Sequence, residues 1–186
     1  MVLPGHLAGG YIVTTAILKF VPGIESFSNN EIALLYMIGI LSGEIPDIDL
    51  LFFYLSKKIN NSKKNTHREF YTHLPLFWLI ISTLIIVFGY IFDSSFTILI
   101  AIILLGGTFS HFVFDSIEYG IRWLGPFSKK HFSLLEIKES FVHDKKDLQI
   151  GSIPYYWNYI KKSYIKNKTI YFEIIVVIIA ITIYLS

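Results

Sequence analysis

The chain has 186 residues, 53% of them hydrophobic and 16% charged, with a mean hydropathy of +0.56. Soluble domains carry roughly 25% charged residues, so the composition excludes an ordinary soluble enzyme and points to an integral membrane protein. A net charge of +2 argues against direct nucleic-acid binding, and the absence of cysteine excludes disulfides, thiolate zinc sites and cysteine nucleophiles.

A helix needs about 20 apolar residues to cross a hydrocarbon core. Pro4 to Pro22 is apolar except for His6 and Lys19 near its ends, where a long side chain reaches the interface. No basic residue precedes Lys19, so this segment lacks the charged start of a secretory signal peptide and is expected to stay in the membrane. Ile32 to Leu55 is apolar but interrupted by Gly43-Glu44-Ile45-Pro46-Asp47-Ile48-Asp49. Leu74 to Phe92 and Phe96 to Phe114 carry no Asp, Glu, Lys or Arg, and Thr169 to Leu185 carries one acid, Glu173. The expected fold is all-α, a multi-pass membrane helical bundle of about five transmembrane helices. Residues 1–135 form its core, 136–168 a basic, aromatic cytoplasmic or interfacial segment, and 169–186 a C-terminal transmembrane helix. Within the middle segment, Ser152 and Pro154 suit a helix start, and the aromatics and lysines that follow suit a headgroup surface or a juxtamembrane linker.

Basic residues give the orientation. Lys57 to Arg68 holds five Lys or Arg and Arg122 to Lys168 holds ten, with Lys19 the only other. Both loops inside put the N terminus in the cytoplasm and the C terminus outside. The chain is then expected in a prokaryotic inner membrane, with membrane lipids as its surroundings.

A carboxylate at the bilayer centre costs about 2.5–3.5 kcal/mol on insertion scales, and such groups are usually paired or functional. The expected topology gathers His6, Glu44, Asp47, Asp49, His67, His73, His111 and Asp115 at the cytoplasmic helix ends. His111 and Asp115, at i and i+4, share a helix face about 6 Å apart along the axis, so one metal can take both. Pro46 disfavours a regular helix through Asp47 and Asp49. The two acids then face one side of a turn, or one binds metal while the other orients a histidine. Three or four imidazoles with two or three carboxylates favour zinc, manganese or iron over calcium or magnesium. The candidate ligands are His6, Asp47, Asp49, His67, His73, His111 and Asp115, enough for one or two divalent ions. Each element alone has an ordinary structural explanation; their convergence at one depth argues for a site. His131 and His143 lie in the polar inner loop and read as solvated.

These residues resemble a known group, the inner-membrane-associated, LexA-binding proteins assigned as metal-dependent hydrolases, the YdjM-like family. The resemblance rests on His6, on Gly-x-x-Pro-Asp-x-Asp at Gly43 to Asp49, and on His-Arg-x-x-x-Thr-His at His67 to His73. It continues with His-x-x-x-Asp at His111 to Asp115, Gly120, and Trp-x-x-Pro-Phe-Ser-Lys-Lys at Trp123 to Lys130. It departs from the pattern at Leu50, where a histidine is common, and at Leu74, where a serine is common. The order His, Asp, His, His-x-x-x-Asp is also similar to zinc-dependent phospholipase C and related nucleases. That second likeness implies His6, Asp47, His67, His111 and Asp115 as ligands.

The expected function is a membrane-bound metal-dependent hydrolase acting on a phospholipid or other amphiphilic phosphoester. A metal lowers the pKa of bound water toward about 7. Asp47, Asp49 or Glu44 would orient that water or accept its proton, and Arg68 would pair with a phosphate oxygen. His73 would serve as ligand, as partner of a ligand, or as general acid. The alternative is a non-enzymatic protein whose metal or hydrogen-bond cluster ties helix ends together while its basic loop binds a cytoplasmic protein partner. A transmembrane carrier is disfavoured, because the polar residues gather at one face and do not continue across the bilayer.

Overall fold

The computed structural model describes residues 3–50, 70–118, 120–135 and 169–186, with Trp157, Lys161 and Ile165 between the last two stretches. Helix α1 (Leu3–Lys19) stops before Pro22 and Gly23, whose φ of +74° turns the chain. Helix α2 (Asn29–Ser42) opens on a capping box. The Ser28 hydroxyl accepts the Glu31 N–H at 3.3 Å, and the Glu31 carboxylate accepts the Ser28 N–H at 2.8 Å. It ends at Ser42, and Pro46 lies in the 3-10 turn Ile45–Ile48 that follows. Of the segment expected to span Ile32 to Leu55, the first α-helix thus ends at Ser42, ahead of a proline that lacks the N–H a continuing helix needs, and residues 51–55 lie outside the described residues.

A second 3-10 turn, Tyr71–His73, leads into α3 (Pro75–Ile91), where proline at the first helical position loses no hydrogen bond. Helices α4 (Ser95–Glu118) and α5 (Thr169–Leu185) complete the described set, so five α-helices are present among the described residues. There, Ser95–Ile117, of 23 residues, is the one helix long and apolar enough by itself to cross a membrane. Pro75–Ile91 and Thr169–Leu185 are apolar but shorter. A helix of 17 residues reaches only about 26 Å, against about 30 Å of hydrocarbon. The roughly five spans expected from hydropathy, the second of them interrupted, correspond to five helices of unequal reach among the described residues. Two polar stretches beside the apolar runs, Ile45–Ile48 and Tyr71–His73, fold as 3-10 turns.

Central α4 packs against α1, α2 and α3, while α5 lies on α1. Close approach is built from glycine: a Cβ on Gly10 would strike the Gly39 carbonyl oxygen, and one on Gly43 the carbonyl oxygen of His6. Small residues that let backbones touch are the usual means of packing helices in lipid, where apolar burial gives no driving force. The distribution of side chains is inverted relative to a soluble bundle. His6, Thr14, Asp49, His73, Thr108, His111, Asp115 and Glu173 are buried, while Leu84, Phe88, Ile91, Ile175, Ile178 and Ile181 face outward. An apolar exterior around a polar interior is what a lipid solvent selects.

Beyond α4, Gly120 adopts φ +78° and the chain folds back through an isolated bridge between Ile121 and Phe132. Trp123 packs on Phe109 and Phe112 and donates its indole N–H to the Ser116 hydroxyl at 2.9 Å. The motif from Trp123 to Lys130 thus covers the last turns of α4. The interfacial segment expected over 136–168, with the helix expected from Ser152, lies outside the described residues except at Trp157, Lys161 and Ile165.

Gly10→Val must displace the Gly39 carbonyl, and overpacking of this kind costs about 1–3 kcal/mol. Thermal melts in detergent are expected to show that loss, whereas Leu84→Ala on the outward face of α3 changes the midpoint little.

Candidate metal centre

Four of the five helices bring a chemical group to one end of the bundle. His6 comes from the first turn of α1, and Asp47 and Asp49 from the turn after α2. His73 comes from the turn before α3, and His111 and Asp115 from the last turns of α4. Odd-numbered helices begin at this end and even-numbered ones finish there, so residues far apart in sequence meet.

Each group has a defined position. His6 Nε2 lies 3.4 Å from Asp115 Oδ1, and its ring stacks on that of His111 with centroids 4.0 Å apart. His111 Nε2 faces His73 Nε2 at 3.4 Å, Asp47 Oδ1 at 3.8 Å and Asp115 Oδ2 at 3.9 Å. His73 Nε2 lies 3.5 Å from Asp47 Oδ1 and 3.7 Å from Asp115 Oδ2. Two sets have ligand atoms within 4.8 Å of one another: His6, His111 and Asp115, and Asp47, His73 and His111. His111 belongs to both.

Two of the three imidazoles are oriented from behind. Asp49 Oδ2 lies 2.6 Å from His73 Nδ1 and also accepts the Thr72 hydroxyl at 2.8 Å. The Thr72 carbonyl in turn accepts the Trp78 indole N–H at 2.7 Å. His111 Nδ1 donates to the Gly43 carbonyl at 2.8 Å, a bond that requires α2 to end where it does. In both rings Nδ1 is engaged and Nε2 points into the cluster, the arrangement by which histidine is held for a metal. Of the two readings open for the aspartates, the turn separates them: Asp49 orients His73, while Asp47 faces the cluster.

His6 differs. It is fully buried, and neither of its ring nitrogens makes a hydrogen bond. Buried polar atoms in native proteins nearly always have a partner, so a ring aimed at Asp115 and His111 without one fits a cation bound between them. The donor set is entirely nitrogen and oxygen, which suits zinc, manganese or iron. The charge balance points the same way. Burial opposes a charge on His73, but hydrogen bonds with Asp115 and Asp49 and the charges of Asp49 and Asp47 outweigh it, carrying its pKa up to about 9. Grouped carboxylates here require positive charge, from a proton or from a metal.

Glu44 stands at the start of the Ile45–Ile48 turn, partly buried, with Oε2 making no hydrogen bond. His67 and Arg68 lie outside the described residues. Leu74, at the position where a serine was expected, is buried and so fills space beside the site. Sequence reading did not identify the Gly43 carbonyl, Thr72 or Trp78 as parts of this end of the bundle, although it placed Glu173 near this face. Thr72 and Gly43 lie inside the quoted motifs and were legible there as polar and small positions, whereas a backbone acceptor leaves no trace in residue type.

Over residues 1–186 the chain matches the family described as YdjM inner membrane protein. The chain belongs to this family. It is therefore a protein of the inner membrane, in agreement with its apolar exterior. No curated protein and no solved structure matches this YdjM-family chain, so the likeness to zinc-dependent phospholipase C is without support.

Asp49→Ala leaves the His73 imidazole and the Thr72 hydroxyl without their acceptor. Breaking such a buried pair costs about 3–5 kcal/mol, whereas Thr72→Val removes one neutral hydrogen bond worth about 1 kcal/mol. Thermal melts of the two variants in detergent are expected to fall in that order.

Proposed function

We propose that this YdjM-family protein is a metal-dependent hydrolase of the inner membrane that cleaves a phospholipid or another amphiphilic phosphoester. The observation that carries this reading is His6: buried, without a hydrogen bond, and aimed into a cluster of two imidazoles and two carboxylates. The two sets share His111, whose Nε2 can serve one ion, so a second ion would rest on the remaining ligands of the other set; zinc is the first candidate and manganese or iron the others. His6, Asp47, His73, His111 and Asp115 are the ligands, joined by His67 from outside the described residues. A divalent metal there supplies Lewis acidity and lowers the pKa of water toward neutrality. Asp49 keeps His73 in the tautomer that presents Nε2, and Asp47 or Glu44 receives the proton released from water. Arg68 pairs with a phosphate oxygen of the substrate. A site at the end of an apolar bundle favours a substrate that remains partly in lipid.

The non-enzymatic reading has its own supporting observation. The same cluster joins the ends of α1, α3 and α4 and the turn after α2, as a structural metal would. In that reading, the basic loops bind a cytoplasmic protein partner. Elemental analysis and turnover separate the two. Purified wild type is expected to carry at least one transition metal per chain. His111→Ala, which removes the residue common to both sets, is expected to lose most of it. Turnover of phospholipid or a soluble phosphodiester that disappears on chelation and returns with zinc supports the hydrolase. Metal-dependent melting without turnover supports the structural reading, and wild type without metal defeats both metal-bound forms.

The orientation belongs to the same proposal, with the multi-pass bundle placing its N terminus and the site on the cytoplasmic side. The chain has no native cysteine, so single cysteines report without background. Cysteine at Ser186 is expected to react with a membrane-impermeant maleimide applied from outside, and cysteine at Lys63 only after permeabilisation. The reverse pattern would invert the bundle.

A further inference from the structure

The mechanism leaves one buried acid unused. Glu173 lies in the second turn of α5, 5% exposed, and its Oε1 accepts the backbone N–H of Gly5 at 3.0 Å. That N–H lies in the first turn of α1, where backbone donors have no partner within the helix. In a low-dielectric surrounding, such a donor must be satisfied, and a carboxylate at a helix N-terminus is also favoured by the helix dipole. A capping acid normally comes from the residue just before the helix. Here it is delivered from a helix 168 residues further along the chain.

The position of this bond gives it a consequence beyond capping. Gly5 immediately precedes His6, the one imidazole of the cluster that nothing orients through its ring. His73 is held by Asp49 and His111 by the Gly43 carbonyl. No hydrogen bond holds the His6 ring, which has its stacking on His111, the approach of Asp115 and Phe114, and the placement of its own backbone. That backbone is fixed from one side by the close approach of Gly43 to the His6 carbonyl and from the other by Glu173 on Gly5. We infer that Glu173 is a positioning residue: the last helix, which contributes no ligand, sets the first histidine of the metal centre by holding the N–H beside it. This rests on the metal reading proposed above. It also explains why an acid stands inside an otherwise apolar helix.

The test is zinc affinity of full-length protein in detergent, measured by competition with a chelator. Glu173→Leu removes the acceptor and is expected to weaken zinc binding by about 10- to 100-fold, the usual effect of losing a group that orients a ligand. Glu173→Gln keeps a carbonyl acceptor of the same reach and is expected to remain within a few-fold of wild type. In a His6→Ala background, Glu173→Leu is expected to cause no further loss, because the ligand it positions is gone. Wild-type affinity in Glu173→Leu would overturn the inference, and so would an equal loss with and without His6, which would mark a general structural role. Should Glu173→Leu fail to fold, or His6→Ala lose zinc altogether, the Gln and Asp variants decide. Glu173→Asp, one methylene too short, should bind zinc more weakly than Glu173→Gln, and equal or reversed affinities would overturn the inference. Wild type that binds no zinc defeats the metal reading and this inference with it, an outcome distinct from a zinc-binding wild type indifferent to residue 173.

Discussion

Taking a carboxylate out of water costs several kcal/mol unless a counter-charge and hydrogen bonds replace the solvent, and this bundle buries Asp49, Asp115 and Glu173 at one end. Each has been given a partner by a different element. Asp49 meets His73 and Thr72, Asp115 meets His6 and His73, and Glu173 meets the start of α1. The fold can be understood as the solution to that requirement. Helices alternate so that their polar termini coincide, and glycines bring α1 close to its neighbours: Gly10 meets Gly39 of α2, and Gly9 meets Ser110 and Phe114 of α4, beside the stacked rings of His6 and His111. The turn at Pro46 follows α2 and aims Asp47 at the cluster while Asp49 reaches the back of His73.

The two ends of the bundle are chemically unlike. At the far end, Leu18, Leu35, Leu99 and Ile103 form an apolar core with no ionisable member. At the site end, Trp78, Phe112 and Ile121 wall the polar cluster on one side, and Trp123 covers the end of α4. This asymmetry is why a transmembrane path for ions or protons finds no support among the described residues, whereas a single chemical site at one surface does.

Much of this was legible in the sequence, for identifiable physical reasons. Hydropathy located the helices because apolar residues must face lipid, and the spacing of His111 and Asp115 gave one helix face because the helical repeat is fixed. Convergence of His6, Asp47, Asp49, His73, His111 and Asp115 followed from alternating the helices, which needed no knowledge of packing. What could not be read depends on backbone atoms and on tertiary proximity. The Gly43 to Asp49 interruption and Pro46 signalled a break in the second apolar run, but not that α2 ends at Ser42 ahead of a 3-10 turn. The bond from His111 to the Gly43 carbonyl and that from Gly5 to Glu173 join residues whose types do not announce them. The division of labour between Asp47 and Asp49 was left open by the motif and is resolved by the 3-10 turn, which aims them differently.

The central claim is that the imidazoles and carboxylates at this end of the bundle hold a transition metal. X-ray absorption at the metal edge, on wild type purified without added chelator, tests it most directly. The account predicts a stoichiometric metal with a first coordination sphere of oxygen and nitrogen that includes imidazole scattering, reduced in His111→Ala. Protein without an absorption edge above background, or a metal whose spectrum shows no imidazole, would contradict it.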